Sequence, residues 1–251
     1  MIDTYLINLD GSDDRLSSAT AQLAAEGIGF TRVPAFDGRG LTPDQFPDYD
    51  AGAALNYMGR PLRGGEIGCY LSHLDCARRM LDSGATRAMV LEDDMQLPAG
   101  FAGALEELLA GLDRLEGWDL VNLGANKHRI YTPIFGFGRY ALTDAHYFPM
   151  TTTGLIWSRQ GAEAFVQAHD RIFAPVDNYF RHWQTRRGRG LAVWPGLVTT
   201  TGAESLIANE SGPARRSSAG RHPLYGLLKQ RRLLVDKLIA LRWKYSPRAK
   251  A

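Results

Sequence analysis

Met89-Val90-Leu91-Glu92-Asp93-Asp94 is the stretch on which the reading of this chain turns. Ala88 to Leu91 is a short apolar run, and it passes directly into three acids. Such a run reads as a buried strand. In an α/β sheet, ligands sit outside the carboxyl ends of the strands. Three adjacent carboxylates there repel one another unless a cation lies among them. Strand alternation sets Glu92 and Asp94 on one face if the strand continues that far. Hard oxygen ligands suit Mg²⁺ or Mn²⁺ bridging a diphosphate, so Glu92 and Asp94 are the candidate metal ligands. The competing reading is a strand that ends in a solvated acidic turn. Two rival acidic-pocket designs fit poorly. A response-regulator pocket puts its acids after the first strand, and a haloacid-dehalogenase-like phosphatase wants Asp-x-Asp early in the chain.

Outward from this strand the pattern alternates. Thr4–Leu9 reads as a strand, Ser12–Glu26 as a helix that Ser12 caps and Gly27 stops, and Phe30–Ala35 as a second strand. Phe36–Arg63 is rich in Gly, Pro and Asp and reads as loop. A helix over Gly65–Leu81, a helix over Pro98–Leu112 and a strand over Leu120–Leu123 follow. This alternation predicts a parallel α/β sheet. Beyond Gly124, Lys127–Tyr147 reads as loops or short antiparallel strands. Thr151–Trp157 and Leu191–Trp194 read as strands, and Ser158–His169 and Pro175–Arg187 as helices.

The chain has 251 residues, 45% of them hydrophobic, and a net charge of +2. That suits one domain with an appendage: a body over 1–209 and a tail over 210–251. From Ala214 onward eleven cations face one acid, Asp236. Pro223–Tyr245 projects as a helix with Leu224, Leu227, Leu234, Leu238 and Leu241 in one arc. A basic amphipathic helix of this kind suits an anionic membrane surface; the competing reading is a helix packed on the body. Nucleic acid is not an expected partner, because no reader fold accompanies the basic tail. Cys69 and Cys76, seven apart on one helix, lie about 10 Å apart along its axis. That is too far for a disulfide and suits a reducing compartment. MIDTYLINLD shows no charged leader before an apolar core, and no run of about 18 apolar residues occurs. The expectation is a cytoplasmic protein, peripheral on the inner face of a bacterial inner membrane.

Two further segments carry polar groups where a site is expected. In Asn8-Leu9-Asp10 followed by Asp13-Asp14-Arg15, the first strand ends in a polar turn and enters a helix. Asn8 sits where a nucleotide is read, and Arg15 can reach a phosphate. In Gly64-Gly65-Glu66-Ile67-Gly68-Cys69-Tyr70-Leu71-Ser72-His73, Glu66 and His73 share one helix face away from the buried stripe. They line a cleft or simply face solvent.

Taken together, Asn-Leu-Asp with its Asp-Arg pair, Gly-Glu-Ile-Gly-Cys-Tyr-Leu-Ser-His and Val-Leu-Glu-Asp-Asp resemble glycosyltransferase family 25 over about Thr4–Asn209. The resemblance implies a GT-A-like, Rossmann-type mixed sheet with helices on both faces. It implies an inverting enzyme that moves a sugar, galactose first among the candidates, from a UDP-sugar to a glycan or glycolipid acceptor in lipooligosaccharide or other surface-polysaccharide synthesis. Glu92 and Asp94 match the family's metal-and-diphosphate motif with Asp93 between them. Asn8, Arg15, Glu66, His73 and Asp93 match positions around the nucleotide sugar, and Mn²⁺ or Mg²⁺ is the implied cofactor. Ser205, in a Ser-x-Ile segment with Ile207, matches a diphosphate contact. Inversion needs a base for the acceptor hydroxyl. Asp177, in a Pro-x-Asp segment, is the first candidate and Asp144 the alternative. The competing functions are a non-catalytic relative that binds sugar nucleotide or glycan, and a metal-dependent phosphoesterase.

Overall fold

A computed structural model describes residues 2–200 and 222–246. Eight strands form one mixed sheet. In chain order they are β1 (Asp3–Asn8), β2 (Thr31–Pro34), β3 (Arg87–Glu92), β5 (Leu120–Asn122), β6 (Thr132–Phe137), β7 (Tyr140–Asp144), β8 (Gly154–Ser158) and β9 (Gly190–Trp194). Their spatial order is β2-β1-β3-β8-β5-β9-β7-β6. A separate small ribbon pairs β4 (Met95–Gln96) with β10 (Thr199–Thr200). The helices are α1 (Asp13–Ala25), α2 (Ala51–Met58), α3 (Gly64–Asp82), α4 (Phe101–Leu112), α5 (Arg159–Ala168), α6 (Val176–Arg187) and α7 (Tyr225–Tyr245).

The alternation expected of a two-sided sheet is visible residue by residue. Tyr5, Ile7, Val90, Leu155 and Trp157 enter one core, packed under α3, α5 and α6. Leu6, Met89, Leu91, Val121 and Ile156 enter the other, under α1 and α4. The expected parallel sheet is only partly correct. The pairs β1–β2, β1–β3 and β5–β9 are parallel, but β8 inserts between β3 and β5 and runs antiparallel to both. Apolar runs do not encode direction, so the mixed sheet implied by the family resemblance is what forms.

Two local readings need correction. The segment read as loop over Phe36–Arg63 contains α2, capped by the Asp50 side chain accepting from the Ala53 N–H and ended at Gly59 with φ +74°. Ser12 occupies the position before α1, but its side chain makes no capping hydrogen bond. Ser158 does cap α5, accepting from the Gly161 N–H at 3.0 Å.

The tail helix α7 packs on α6 and α2 rather than standing apart. It docks through a mixed face. Asp236, fully buried, accepts from Arg186 at 2.8 Å, Arg232 lies over the Tyr57 ring, and the Trp243 indole donates to the Thr185 carbonyl at 3.0 Å. The polar side of the helical projection therefore includes its docking contact.

Candidate active site

β1 and β3 are neighbours, so their carboxyl ends bring Asn8 beside the Glu92-Asp93-Asp94 turn. β3 ends at Glu92, and the next two acids form the turn into β4. The Asn8 amide donates to Asp93 Oδ2 at 2.8 Å and to the Ser12 carbonyl at 3.2 Å. Arg15, on the first turn of α1, reaches Asp93 Oδ1 at 3.0 Å. Asp93 is thus neutralised and pinned by two of the residues picked out in the first motif. Arg32 completes this layer: its Nε donates to Asn8 Oδ1 at 3.0 Å, and it also pairs with Asp10.

Glu92 is held from the other side. His73, fully buried on α3, donates from Nε2 to Glu92 Oε1 at 3.0 Å. Burial opposes charge on Glu92. Hydrogen bonds from His73 and Thr152, with the positive charge of Arg15, outweigh it and hold the carboxyl below its ordinary range. Asp94 is the contrasting case. Burial and the neighbouring charge of Glu92 push it up to about 6, and its buried Oδ1 has no hydrogen-bond partner. A buried carboxylate oxygen without a donor is costly. Together with Glu92 it makes a donor set that fits a hard divalent cation. Cys69, His73 and Glu92 also place three ligand atoms within 4.8 Å of one another, a softer set that overlaps the first at Glu92. Burial, with the charge of Glu92 and Asp177 nearby, holds the Cys69 thiol protonated well above its usual range.

The cleft beside these acids is about 140 Å³ and runs along Ile7, Arg15, Phe36, Asp37, Arg39 and Cys69. Its wall is a loop laid onto α3 by glycines. A Cβ on Gly64 would lie 2.0 Å from the Gly38 carbonyl, and one on Gly68 would lie 2.4 Å from the Phe36 carbonyl. Only hydrogen fits at these backbone crossings. Ser72 fastens the same loop, accepting from the Phe36 N–H at 2.9 Å. The Gly-Glu-Ile-Gly…Ser-His motif is therefore a device for closing one wall of the cleft.

The residues proposed from sequence divide accordingly. Asn8, Arg15 and Asp93 come together as one network; His73, expected away from the buried stripe of α3, is instead fully buried, because it turns inward to hold Glu92 from below. Glu66 is engaged at the start of α3: it accepts from Arg60 at 2.6 Å and from the Arg63 N–H at 2.9 Å. Asp177 lies in the first turn of α6 and accepts from the Asn178 N–H at 2.6 Å. Burial raises its pKa, and the charges of Glu92 and Glu66 raise it further, so these acids share one field. Asp144 pairs with Leu191 near the amino end of β9, away from the end of the sheet that carries Glu92, and lies 3.6 Å from His146. Ser205 falls outside the described residues. Of the aromatics after Gly124, Phe137 enters the core and Tyr131 stacks on His128. Sequence reasoning missed Arg32, Ser72 and Cys69. The Ser of Leu-Ser-His, quoted in the motif, was the available signal for Ser72.

The model of glycosyltransferase family 25 (LPS biosynthesis protein) matches residues 1–180. The chain belongs to glycosyltransferase family 25. Within that family it is 31% identical to a glycosyltransferase 25 family member of Aedes aegypti, over 84% of this chain and 38% of the relative. It is 26% identical to procollagen galactosyltransferase 1 of Danio rerio, over 79% of this chain and 36% of the relative. It is also 33% identical to the human inactive glycosyltransferase 25 family member 3, over 49% of this chain and 21% of the relative. The chain thus spans between a third and two fifths of the length of the first two family 25 relatives.

Proposed function

We propose that this chain is an inverting glycosyltransferase that moves a sugar, galactose first among the candidates, from a UDP-sugar to a glycan acceptor of surface-polysaccharide type. The observation that carries the reading is the acidic turn Glu92-Asp93-Asp94 at the carboxyl end of β3, met by Asn8 from the end of the adjacent strand β1, with Asp177 in the same electrostatic field. Asp93 is charge-paired by Arg15, leaving Glu92 and Asp94 for a divalent cation, Mn²⁺ or Mg²⁺. When bound, that cation offsets the charge developing on the diphosphate leaving group. Asp177 takes the proton of the acceptor hydroxyl as that oxygen attacks the anomeric carbon. Its raised pKa makes it a better base than an exposed aspartate.

The galactosyltransferase relative supports the donor choice, and the inactive relative keeps the rival in view. That rival is a chain that binds sugar nucleotide without transfer. UDP release from a panel of UDP-sugars, with and without Mn²⁺ and with a lipooligosaccharide-type acceptor, separates the two. Metal-dependent release of one donor that rises with acceptor supports the transferase. UDP binding with no release across the panel overturns it in favour of the binder.

The tail helix suggests where the acceptor is met. Opposite its docking face, α7 exposes Leu227, Leu234, Leu238 and Tyr245 at 68, 59, 56 and 74%, spaced four or seven residues apart. Arg231, Lys237, Arg242 and Lys244 are exposed on the same helix. No helix among the described residues is long and apolar enough to cross a membrane. An apolar stripe flanked by cations suits an anionic lipid interface, at the inner face of the membrane where a cytoplasmic enzyme would work. Co-sedimentation with anionic vesicles tests this. Binding is expected to fall at least tenfold in the Leu234→Glu/Leu238→Glu variant, and no vesicle binding by the unaltered chain would refute it.

A further inference from the structure

A second cavity, of about 260 Å³, opens between the segment after β5, the chain around Tyr147 and α6. Its lining is Asn126, Lys127, Arg129, Tyr147, Met150 and Arg181. Three of the six are cations and none is an acid. It shares no residue with the cleft at Glu92–Asp94.

Arg181 is the informative one. Its Nε donates to the Phe148 carbonyl at 2.9 Å, and its guanidinium lies 4.8 Å from the centre of the Tyr147 ring. Burial lowers its pKa, so the folded chain bears a cost for keeping this charge. Five half-buried arginines elsewhere in the fold have counter-ions: Arg15 has Asp93, Arg60 has Glu66, Arg186 has Asp236, and Arg187 and Arg189 share Asp119; Arg232, like Arg181, instead lies over a tyrosine ring and donates to a backbone carbonyl. Among the described residues, no carboxylate lies within ion-pair distance of Arg181, Lys127 or Arg129. A half-buried guanidinium on which only the charge of Asp177, beyond ion-pair distance, acts is incompletely compensated, and a bound anion would complete its pairing.

The flanking cations are presented by a fixed loop. His128, between them, stacks at 3.5 Å on Tyr131 and at 5.0 Å on Trp194, and hydrogen-bonds Thr143 at 2.9 Å. Ile130 is held at φ +43°, an uncommon conformation for a β-branched residue. Arg181 follows Asp177 by four residues on α6, so the two share a helix face about 6 Å apart.

We propose that this basic cavity binds an anionic substituent of the acceptor, a phosphoryl or carboxyl group carried near the hydroxyl that is glycosylated. The inference rests on the transferase reading and names the class of acceptor: an acidic glycan rather than a neutral one. Planar guanidinium groups and an ammonium suit either anion through charge-assisted hydrogen bonds.

The test is calorimetric titration of the full chain with glucose, glucose 6-phosphate and glucuronate, with UDP present to fill the donor cleft. Glucose 6-phosphate or glucuronate is expected to bind at least tenfold tighter than glucose, and the favoured one identifies the anion. The Lys127→Ala/Arg129→Ala variant removes two exposed side chains, keeps the thermal midpoint and loses that preference. Equal affinity for all three sugars, or an anion preference that survives in the double variant, would overturn the proposal. Donor hydrolysis without acceptor is read in parallel and is expected to be equal in the two proteins. If the unaltered chain releases no UDP from any donor even with acceptor present but the anion preference stands, the transferase reading fails while the anionic-glycan site holds.

Discussion

Replacing Asp94 by Asn is expected to stabilise the metal-free protein while removing its response to Mn²⁺. Asp94 sits at about 6 against an ordinary 3.8, because burial and the charge of Glu92 both oppose ionisation. A carboxyl whose folded pKa is raised destabilises the native state above the folded value, and the cost vanishes as pH falls below the unfolded one. The difference corresponds to about 3 kcal/mol at pH 8 if fully expressed. Partial solvent access reduces this to roughly 1–2 kcal/mol. For a chain of this size that is a rise in Tm of about 2–6 °C at pH 8, shrinking toward zero near pH 4. Differential scanning fluorimetry across pH, with and without Mn²⁺ and UDP, measures it. The unaltered chain should gain stability with Mn²⁺ and the variant should not, and its turnover should fall on the order of a hundredfold or more. A variant that melts lower at pH 8, or that still gains the full Mn²⁺ shift, would refute the assignment of Asp94 as a strained ligand.

Three other outcomes follow from the same geometry. Asp177→Asn should lower kcat by about 10²–10⁴-fold with donor affinity kept. The acid limb of the kcat/KM profile of the unaltered enzyme should lie above the ordinary aspartate range, because activity needs the charged form and burial disfavours it; a near-normal turnover in the variant would sink the base role. Gly68→Ala would push a Cβ to 2.4 Å from the Phe36 carbonyl, and the loop must move. The expected cost is about 1–3 kcal/mol by denaturation, with weaker UDP binding by calorimetry. Asp119, with a fully buried side chain, accepts from Arg187 at 2.6 Å and Arg189 at 2.8 Å. Asp119→Ala should destabilise by about 2–4 kcal/mol in urea unfolding, leaving the metal response of the remaining fold intact.

The Glu92-Asp93-Asp94 motif was legible because an apolar run meeting three acids has few structural uses, and its placement at a strand end follows from the fold class. The roles within it were not legible. Asp93 and Asp94 are chemically identical neighbours, and only the side chains that fold against each one separate them. Asn8 and Arg15 come from more than seventy residues away to neutralise Asp93. Glu66 reads as a cleft residue from its helix position, yet Arg60 and the Arg63 backbone engage it. The same limit applies to α7. Its periodicity announced an amphipathic helix, but projection alone could not show that Asp236 turns inward to meet Arg186.

By itself the sequence determined the strand and helix periods, the acidic turn, the glycines of the α3 motif and the family to which these belong, because such features are written in local spacing. Strand direction, the inserted antiparallel β8, the separation of Asp93 from Asp94 and the basic cavity around Arg181 were decided by tertiary structure. Each depends on which distant side chain arrives as a partner, and a charge has no fixed role until its counter-charge, or the lack of one, is in place.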